Sequence, residues 1–350
     1  IVTGVQTCAL PILHSSHNQC ATNTRRGSAS KMNVQQVSKR EAVAGYTPRI
    51  REVFIPHKRK AVIVSMDFVS QEILLLAEKS QDPVLREVFV GTPPKDMHSM
   101  TGVGIFNSQM GDISMSYETF VEVVHDPKHS LHKTCKKYRG LGKAINFSGQ
   151  YRVGAKKMAS MLFVSEAEAQ AMIDAKAEAF PVSEAWAVAE MDKVTHTGVV
   201  RSMMGAVRHL GPALLSTDKY ESSKATRQCL SFYIQGSAAE MTKMAEGRMW
   251  AAGLEQRFDC EIVFPVHDEV VASCAIEDLY EFIPAMHACM VANYASMGLP
   301  IRSSISLGPS FGEQIEIGAE PTPEAIAFGI SELNRSEEHT SELQSRSAIS

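Results

Sequence analysis

The sequence predicts a mixed α/β (α+β) fold in which an antiparallel sheet is backed by helices. Residues 61–66 read AVIVSM, a short β-branched run that is typical of a buried strand, and this run ends at Asp67. Two more apolar, β-branched runs, residues 261–266 and 270–272, flank an acidic turn of sequence HDE at residues 267–269. Two strands joined by so short a turn predict an antiparallel hairpin.

Helices account for much of the chain between these strands. Residues 165–180 are rich in Ala and Glu and are followed by Pro181, which favours a helix that stops there. Helical patterns also occupy residues 70–79, 138–161 and 225–252. The polar stretch at residues 13–40 favours extended or loop structure.

The composition is that of an ordered globular protein. Hydrophobic residues make up 44% and charged residues 21% of the 350-residue chain. No apolar run reaches the roughly 20 residues that a membrane-spanning helix needs, so we expect no membrane association. None of the seven cysteines forms a CxxC pair. This argues against a disulfide framework or a zinc site and favours a reducing, cytoplasmic setting.

The two ends of the chain are related through their coding DNA. Residues 3–12 read TGVQTCALPI and residues 335–345 read RSEEHTSELQS. One back-translation of the second segment has a reverse complement that encodes the first. Opposite strands of one short DNA at both ends indicate a ligated sequencing adapter. We therefore expect residues 1–12 and 335–350 to be artefacts and exclude them from fold reasoning.

The charge balance gives a mixed signal about nucleic acid. The net charge of −4 argues weakly against a nucleic-acid-binding protein, which is often basic. Locally, however, residues 128–143 carry five lysines, one arginine and two histidines. This basic stretch is either a binding surface or an ordinary solvated face.

Two aspartates at strand ends are candidate metal ligands. Asp67 follows the first strand and Asp268 lies in the hairpin turn, 201 positions later. Two such carboxylates can share a pair of Mg²⁺ ions that stabilise the attacking and leaving oxygens of a phosphoryl transfer. The alternative is that each is a turn or cap residue.

A second candidate site follows from residues spaced by four. Arg139, Lys143, Phe147 and Tyr151 lie along one slowly drifting stripe of a helix. The two cations can hold a triphosphate, and the two rings can stack on a base. An amphipathic helix with solvated charges and buried rings has the same pattern.

Together these motifs resemble family A DNA polymerases of the bacterial polymerase I kind. Residues 67–73 (DFVSQEI) are similar to the first motif of the family, residues 139–151 to its nucleotide-binding fingers helix, and residues 266–270 (VHDEV) to its third motif. The motifs occur in the family's order. Weaker matches lie at residues 26–36, 49–54, 95–98 and 227–239. The single-subunit RNA polymerases and reverse transcriptases also use paired carboxylates, but Glu72 and the turn at residues 267–269 argue against them.

The resemblance implies a role for each matching residue. Asp67 and Asp268 would hold two Mg²⁺ ions, and Lys143 and Glu269 would also act in catalysis. The incoming nucleotide would contact Arg139, Lys143, Phe147, Tyr151, His98 and Glu72. Primer-template DNA would contact Arg26, Arg227, Gln235 and His267. In the family, Phe at position 147 goes with discrimination against dideoxynucleotides, and Tyr goes with acceptance.

The resemblance also implies a right-hand architecture that lacks its thumb. The palm would comprise residues 13–85 and 216–334, and the helical fingers residues 86–215. The expected activity is template-directed DNA synthesis from deoxynucleoside triphosphates by a monomer. Residues 305–312 look more like viral than cellular relatives, so we expect a phage origin and a location in the host cytoplasm. A binding-competent but inactive fragment is the remaining alternative.

Four positions depart from the family's usual residues. Ser70 stands where many relatives have Gln, and Ser231 stands where Asn is usual. Ser148 and Arg152 stand where Gly is common. We expect these changes to alter fidelity or pocket shape and to leave the chemistry in place.

Overall fold

A computed structural model describes residues 15–31, 33–37, 50–91, 95–111, 113–149 and 152–347, without the side chains of residues 147–149 and 336–347. The chain divides into two compact units. The first, here called the sheet unit, comprises Ile1–Phe68, Thr242–Met290 and Ser303–Ser350. The second, the helical unit, comprises Val69–Met241 and Val291–Arg302. The palm and fingers boundaries implied by the family resemblance remain a prediction.

The sheet unit is built on a five-stranded antiparallel sheet with the order β6-β7-β3-β8-β9. The strands of the chain are β1 (Ser16–Asn18), β2 (Ser28–Ser30), β3 (Ala61–Phe68), β4 (Val199–Arg201), β5 (Val207–His209), β6 (Cys260–Val266), β7 (Glu269–Ala275), β8 (Ser303–Gly308) and β9 (Ile315–Gly318). β3 is the central strand, and its side chains are buried on both faces from Val62 to Met66. This explains why residues 61–66 are apolar apart from Ser65 and do not alternate with polar residues.

The helices of the chain are α1 (Gln71–Ser80), α2 (Pro83–Val90), α3 (Met97–Gln109), α4 (Tyr117–His125), α5 (His132–Gly149), α6 (Ala155–Leu162), α7 (Glu166–Ala179), α8 (Pro181–Thr197), α9 (Gly211–Leu214), α10 (Lys219–Ser231), α11 (Ser237–Ala251), α12 (Leu254–Arg257), α13 (Leu279–Val291) and α14 (Pro323–Ser347). Short 3-10 turns lie at Val34–Gln36, Ile50–Val53 and Ile276–Asp278. A π-helix, Phe232–Gly236, joins α10 to α11.

The helical unit has its own core. Buried residues of α3 to α7 form one apolar cluster, in which Phe106 makes edge-to-face contacts with Phe120 and Tyr138 at centroid distances of 6.0 and 5.4 Å. Such aromatic pairs add about 0.5–1.5 kcal/mol each beyond their burial. The cluster holds α3 and α5 together, the two helices that carry His98 and Arg139.

Most predicted elements are confirmed. Both strands of the hairpin, the strand that ends near Asp67 and the helix at residues 70–79 are present. The helix at residues 165–180 is α7, and Ser165 and Glu168 form a capping box at its start. The stretch at residues 13–40 is mostly irregular where it is described, with β1, β2 and one short 3-10 turn.

One predicted helix is interrupted, and another is not α-helical throughout. The helix predicted over residues 138–161 is wrong as a single element, because α5 ends at Gly149 and α6 begins at Ala155. Arg152, between them, has a left-handed backbone with φ +50°. The helix predicted over residues 225–252 contains the π-helix, which inserts an extra residue into the turn. The spacing of hydrophobic residues along the sequence indicates neither the break between α5 and α6 nor the π-helix.

No helix among the described residues is both long and apolar enough to cross a bilayer.

Candidate functional site

The sheet register brings the two predicted metal ligands to one end of the sheet. Asp67 is the second-last residue of β3 and is paired with Glu269, the first residue of β7. Asp268 comes directly before Glu269, and its carbonyl oxygen accepts a hydrogen bond from the Phe68 N–H at 3.3 Å. Backbone pairing between β3 and β7 therefore brings Asp67 and Asp268 together, although they are 201 positions apart in the sequence.

The turn that carries Asp268 is tight and strained. Val266 pairs with Glu269, so His267 and Asp268 form a two-residue hairpin loop. His267 has φ +61°, a conformation that Gly usually supplies in such loops. Thr242 donates a long hydrogen bond of 3.5 Å to the His267 carbonyl oxygen. Non-glycine residues in this region cost about 1–3 kcal/mol and cluster at functional sites.

The electrostatics of this end of the sheet favour a cation. Burial raises the pKa of Asp268, while a backbone hydrogen bond and the charges of Arg26 and His267 lower it in part. A carboxylate desolvated in this way is stabilised by a bound positive ion. Arg26 and His267, both predicted to contact DNA, thus lie close enough to Asp268 to affect its charge.

A second group of predicted residues lies where α3 crosses α5 in the helical unit. Gly102 and Gly142 make the crossing close: a Cβ on Gly142 would overlap the His98 carbonyl oxygen and lie 2.8 Å from the Gly102 nitrogen. A Cβ on Gly102 would lie 3.0 Å from the Arg139 Cα. The absence of side chains at both positions lets His98 and Arg139 approach each other.

Asp96 orients Arg139. The Asp96 side chain caps α3 by accepting from the His98 N–H at 3.0 Å, and it accepts from Ser99 Oγ and Arg139 Nε at 2.7 Å each. Burial alone would raise the pKa of Asp96, but the bonds from Ser99 and Arg139 outweigh it and lower that pKa. Arg139 is thus held through its Nε.

Asn146 determines the tautomer of His98. The Asn146 Oδ1 accepts from Thr101 Oγ1 at 2.9 Å, and its Nδ2 donates to the Met97 carbonyl oxygen at 3.3 Å. Only an N–H can bond that carbonyl, so Nδ2 is also the atom 3.3 Å from His98 Nδ1. His98 Nδ1 must then accept, and the proton of the neutral ring is on Nε2.

The charge state of His98 follows from its surroundings. Burial lowers the pKa of His98, the charge of Asp96 raises it in part, and Arg139 and Lys143 lower it further. The ring is therefore neutral at pH 7. A neutral imidazole with its proton on Nε2 is a hydrogen-bond donor that brings no extra positive charge beside two cations.

The other predicted nucleotide-binding residues are less fully described. Lys143 is exposed on α5, one turn after Arg139, and Glu72 is half-buried in the first turn of α1. The backbone of Phe147 is part of α5, and its side chain lies outside the described atoms. Tyr151 lies outside the described residues.

The predicted DNA-binding residues of the helical unit lie on α10 and the π-helix. Arg227 borders a surface cavity of about 480 Å³ that is lined mainly by hydroxyl groups, from Ser216, Ser222, Ser223 and Thr226, and by Lys219. Gln235 is half-buried, whereas the other four residues of the π-helix are buried. π-Helices of one turn are frequent at functional sites.

Sequence reasoning missed the residues that support the site. Asp96, Thr101, Gly102, Gly142 and Asn146 hold the predicted side chains in place. Only Asp96 had a visible signal, since an Asp two residues before His98 is a typical helix N-cap. The two glycines lie inside helices, where Gly is unfavourable unless it has a packing role.

Comparison with solved structures shows which class of protein has this fold. The chain resembles the POL domain of Pol1 from M. smegmatis, solved in complex with DNA primer-template and dNTP, with a TM-score of 0.73. The likeness covers 87% of this chain and 49% of that one, at 23% sequence identity, and shows a shared polymerase-domain fold.

The family follows from the sequence match. The model of DNA polymerase family A matches residues 6–313, and the chain belongs to that family. It is 26% identical to DNA polymerase I of Borreliella burgdorferi over 301 residues, covering 86% of this chain. It is 25% identical to DNA polymerase I of Bacillus subtilis over 299 residues. The chain spans only 30% and 31% of the length of these two proteins.

Family A polymerases use divalent metal ions, and the residues at the sheet end fit one. Among the described residues, no group of three or more His, Cys, Asp and Glu side chains could hold a metal ion by itself. Mg²⁺ needs fewer protein ligands, because it commonly binds through one or two carboxylates, waters and substrate phosphates. Asp67 and Asp268 are two carboxylates of the kind that such a site uses.

Proposed function

We propose that this chain catalyses template-directed DNA synthesis, adding deoxynucleotides to a primer 3′-hydroxyl with release of pyrophosphate. The observation that carries the proposal is the pairing of Asp67 with Glu269 next to Asp268, which brings three acidic residues to one end of a buried sheet. Family membership supports the same activity. The substrates are primer-template DNA and deoxynucleoside triphosphates.

The reaction is an in-line displacement at phosphorus. The primer 3′-hydroxyl loses its proton to water as its oxygen forms a bond to the α-phosphorus. The bond from that phosphorus to the bridging oxygen breaks, and pyrophosphate leaves with the electron pair. Asp67 and Asp268 would hold two Mg²⁺ ions, which would supply charge stabilisation for the attacking and leaving oxygens. Glu269 acts near the primer terminus.

The cations of α5 bind the triphosphate. Arg139 and Lys143 contact its phosphates, and neutral His98 donates its Nε2–H to a phosphate oxygen. Charge-assisted hydrogen bonds of this kind are the stronger ones. Lys143 also gives a proton to the leaving pyrophosphate, so that the departing group does not carry the full added charge. Asp96 and Asn146 keep the donors oriented before the substrate arrives.

Nucleotide choice rests on shape and template pairing. Glu72 closes the sugar pocket against a 2′-hydroxyl, and a ribose would leave a polar group unpaired there. Phe147 packs against the sugar and base, and Tyr151 occupies the template-base position. The template base then selects the incoming nucleotide, so the protein itself needs no base-specific contact.

Four residues hold the primer-template. Arg26, Arg227, Gln235 and His267 contact the minor groove, where the acceptor pattern is nearly independent of sequence. This suits an enzyme that must copy any sequence.

We also propose a phage origin, a monomeric state, a location in the host cytoplasm and an adapter origin for residues 1–12 and 335–350.

Primer extension with Mg²⁺ and dNTPs tests the function. We expect extension by the wild type and loss of extension in Asp268→Ala, with DNA binding retained. Glu261→Gln is the matched control, because Glu261 is an exposed carboxylate on β6 of the same sheet. Equal extension by Asp268→Ala and Glu261→Gln would refute the metal assignment. Binding without extension in the wild type would favour an inactive, DNA-binding fragment.

A further inference from the structure

A small cavity lies within the helical unit, away from the α3–α5 crossing. It has a volume of about 30 Å³, enough for one or two waters or one small ion. Leu76, Leu230 and Ile234 form apolar walls. Arg152, Lys176 and Glu184 also line it.

The charges in this cavity do not balance. Arg152 forms an ion pair with Glu184 through Nη1, and its Nη2 is buried with no hydrogen-bond partner among the described residues. Lys176 interacts with the same carboxylate. Two cations therefore face one carboxylate. Ser183 adds a hydroxyl to the lining, while its backbone N–H is already bonded to Asp82 Oδ2 at 2.9 Å.

An excess of charge is costly where it is shielded from water. Burial lowers the pKa of Lys176 to about 8, with Glu184 raising it in part and Arg152 lowering it further. At pH 7 most of the lysine is still charged. Glu184 supplies one negative charge to two cations, so a second negative charge would have to come from solution.

We propose that the cavity is a binding site for a small monovalent anion, of the size and charge of chloride, held between Arg152 Nη2 and Lys176 Nζ. One negative charge neutralises the excess, and the volume excludes a nucleotide or a phosphate ester. The inference does not depend on the proposed function.

Trp186 lines the cavity and provides a direct readout. The chain has two tryptophans, and the other, Trp250, is 79% exposed. In a Trp250→Phe background, bromide is titrated against gluconate at constant ionic strength while Trp186 fluorescence is followed. We expect saturable quenching by bromide that chloride reverses by competition, because a bound heavy halide lies next to the indole.

Two variants and one control identify the site. Lys176→Met and Arg152→Gly should each abolish the saturable phase, and Lys193→Met should keep it because Lys193 is 65% exposed. Arg152→Gly serves if Lys176→Met does not fold. For a dissociation constant of about 10 mM, about 100 mM chloride should raise the Tm of the wild type by about 2–4 °C, and this shift should be absent in both site variants.

The proposal is overturned by purely linear quenching in the wild type, or by a saturable phase that survives both site variants. Crystals soaked in bromide give an independent answer. An anomalous peak between Arg152 and Lys176 supports the site, and its absence at full bromide occupancy of other surface sites contradicts it.

Discussion

The two units fix their candidate site residues by different means. In the sheet unit, strand pairing aligns Asp67 with Glu269, and a two-residue turn presents Asp268. In the helical unit, a glycine crossing and a set of side-chain hydrogen bonds orient Arg139 and His98. The first arrangement depends on the backbone and the second on side chains.

This difference predicts where each site is vulnerable. A backbone ladder tolerates most side-chain changes, provided that the strands keep their register. A close helix crossing and a buried hydrogen-bond network are sensitive to single substitutions, because one added methyl or one lost donor has no nearby compensation. We therefore expect larger indirect effects in the helical unit than in the sheet unit.

The largest expected effect comes from Gly142→Ala. The added methyl would overlap the His98 carbonyl oxygen, so α3 and α5 would have to move apart. We expect a loss of about 1–3 kcal/mol in the free energy of unfolding. Gly140→Ala is the control in the same helix, since nothing lies within 4 Å of its added Cβ. Urea denaturation should show Gly140→Ala at or above wild-type stability, and equal effects of the two would contradict the close crossing.

The next effect concerns Asn146→Leu. Losing the amide frees the His98 tautomer and leaves the Thr101 hydroxyl unpaired, at a cost of about 1–3 kcal/mol. We expect the KM for dNTP to rise by about tenfold. ¹⁵N NMR of the ring should show Nε2 protonated in the wild type and a tautomer mixture in the variant. Thr101→Val keeps the bond from Asn146 to His98, so its ring spectrum should match the wild type.

Stability should also depend on the protonation of two histidines. Burial lowers the pKa of His98 in the helical unit and of His287 in the sheet unit. Their folded pKa values lie below the unfolded one, so the unfolded chain binds more protons and stability falls as pH drops through about 6.5. Urea unfolding from pH 8 to pH 5 should show this loss in the free energy of unfolding. The loss should be smaller in His98→Asn than in the wild type. A pH-independent midpoint would contradict it.

The smallest effect is expected from His267→Gly. Gly adopts the positive φ of this turn without strain, so hairpin stability should rise by up to about 1 kcal/mol. The matched substitution His209→Gly, in β5, should be destabilising because its backbone is extended. Thermal denaturation should show a higher Tm for His267→Gly and a lower Tm for His209→Gly. A loss of stability in His267→Gly would show that the imidazole contributes more than the strain costs.

The sheet unit was largely predictable from sequence. β-Branched runs predict strands, and an acidic pair between two such runs predicts a hairpin. These patterns located β3, β6 and β7 and the acidic residues at their ends. Their convergence was expected only through the family resemblance, because spacing along the chain carries no information about strand order. Arg26 was predicted to contact DNA, but only the structure shows that its charge lowers the pKa of Asp268.

The helical unit was less predictable. Periodicity located the stripe that begins with Arg139 and missed the break at Arg152, since one left-handed residue does not change the pattern of apolar positions. Asn146 belongs to the motif of α5, but its role could not be predicted because a buried polar residue is informative only once its partners Thr101 and His98 are known. Gly142 had no signal beyond an unfavourable helix propensity.

The central position of β3 has a consequence for synthesis. Its two neighbours, β7 and β8, are made about 200 residues later. At about 5–20 residues per second, the apolar strand Ala61–Phe68 waits about 10–40 s on the ribosome before either partner exists. Contacts of such long range also slow folding. The strand that places Asp67 therefore has neither sheet neighbour while residues 69–241 of the helical unit are synthesised.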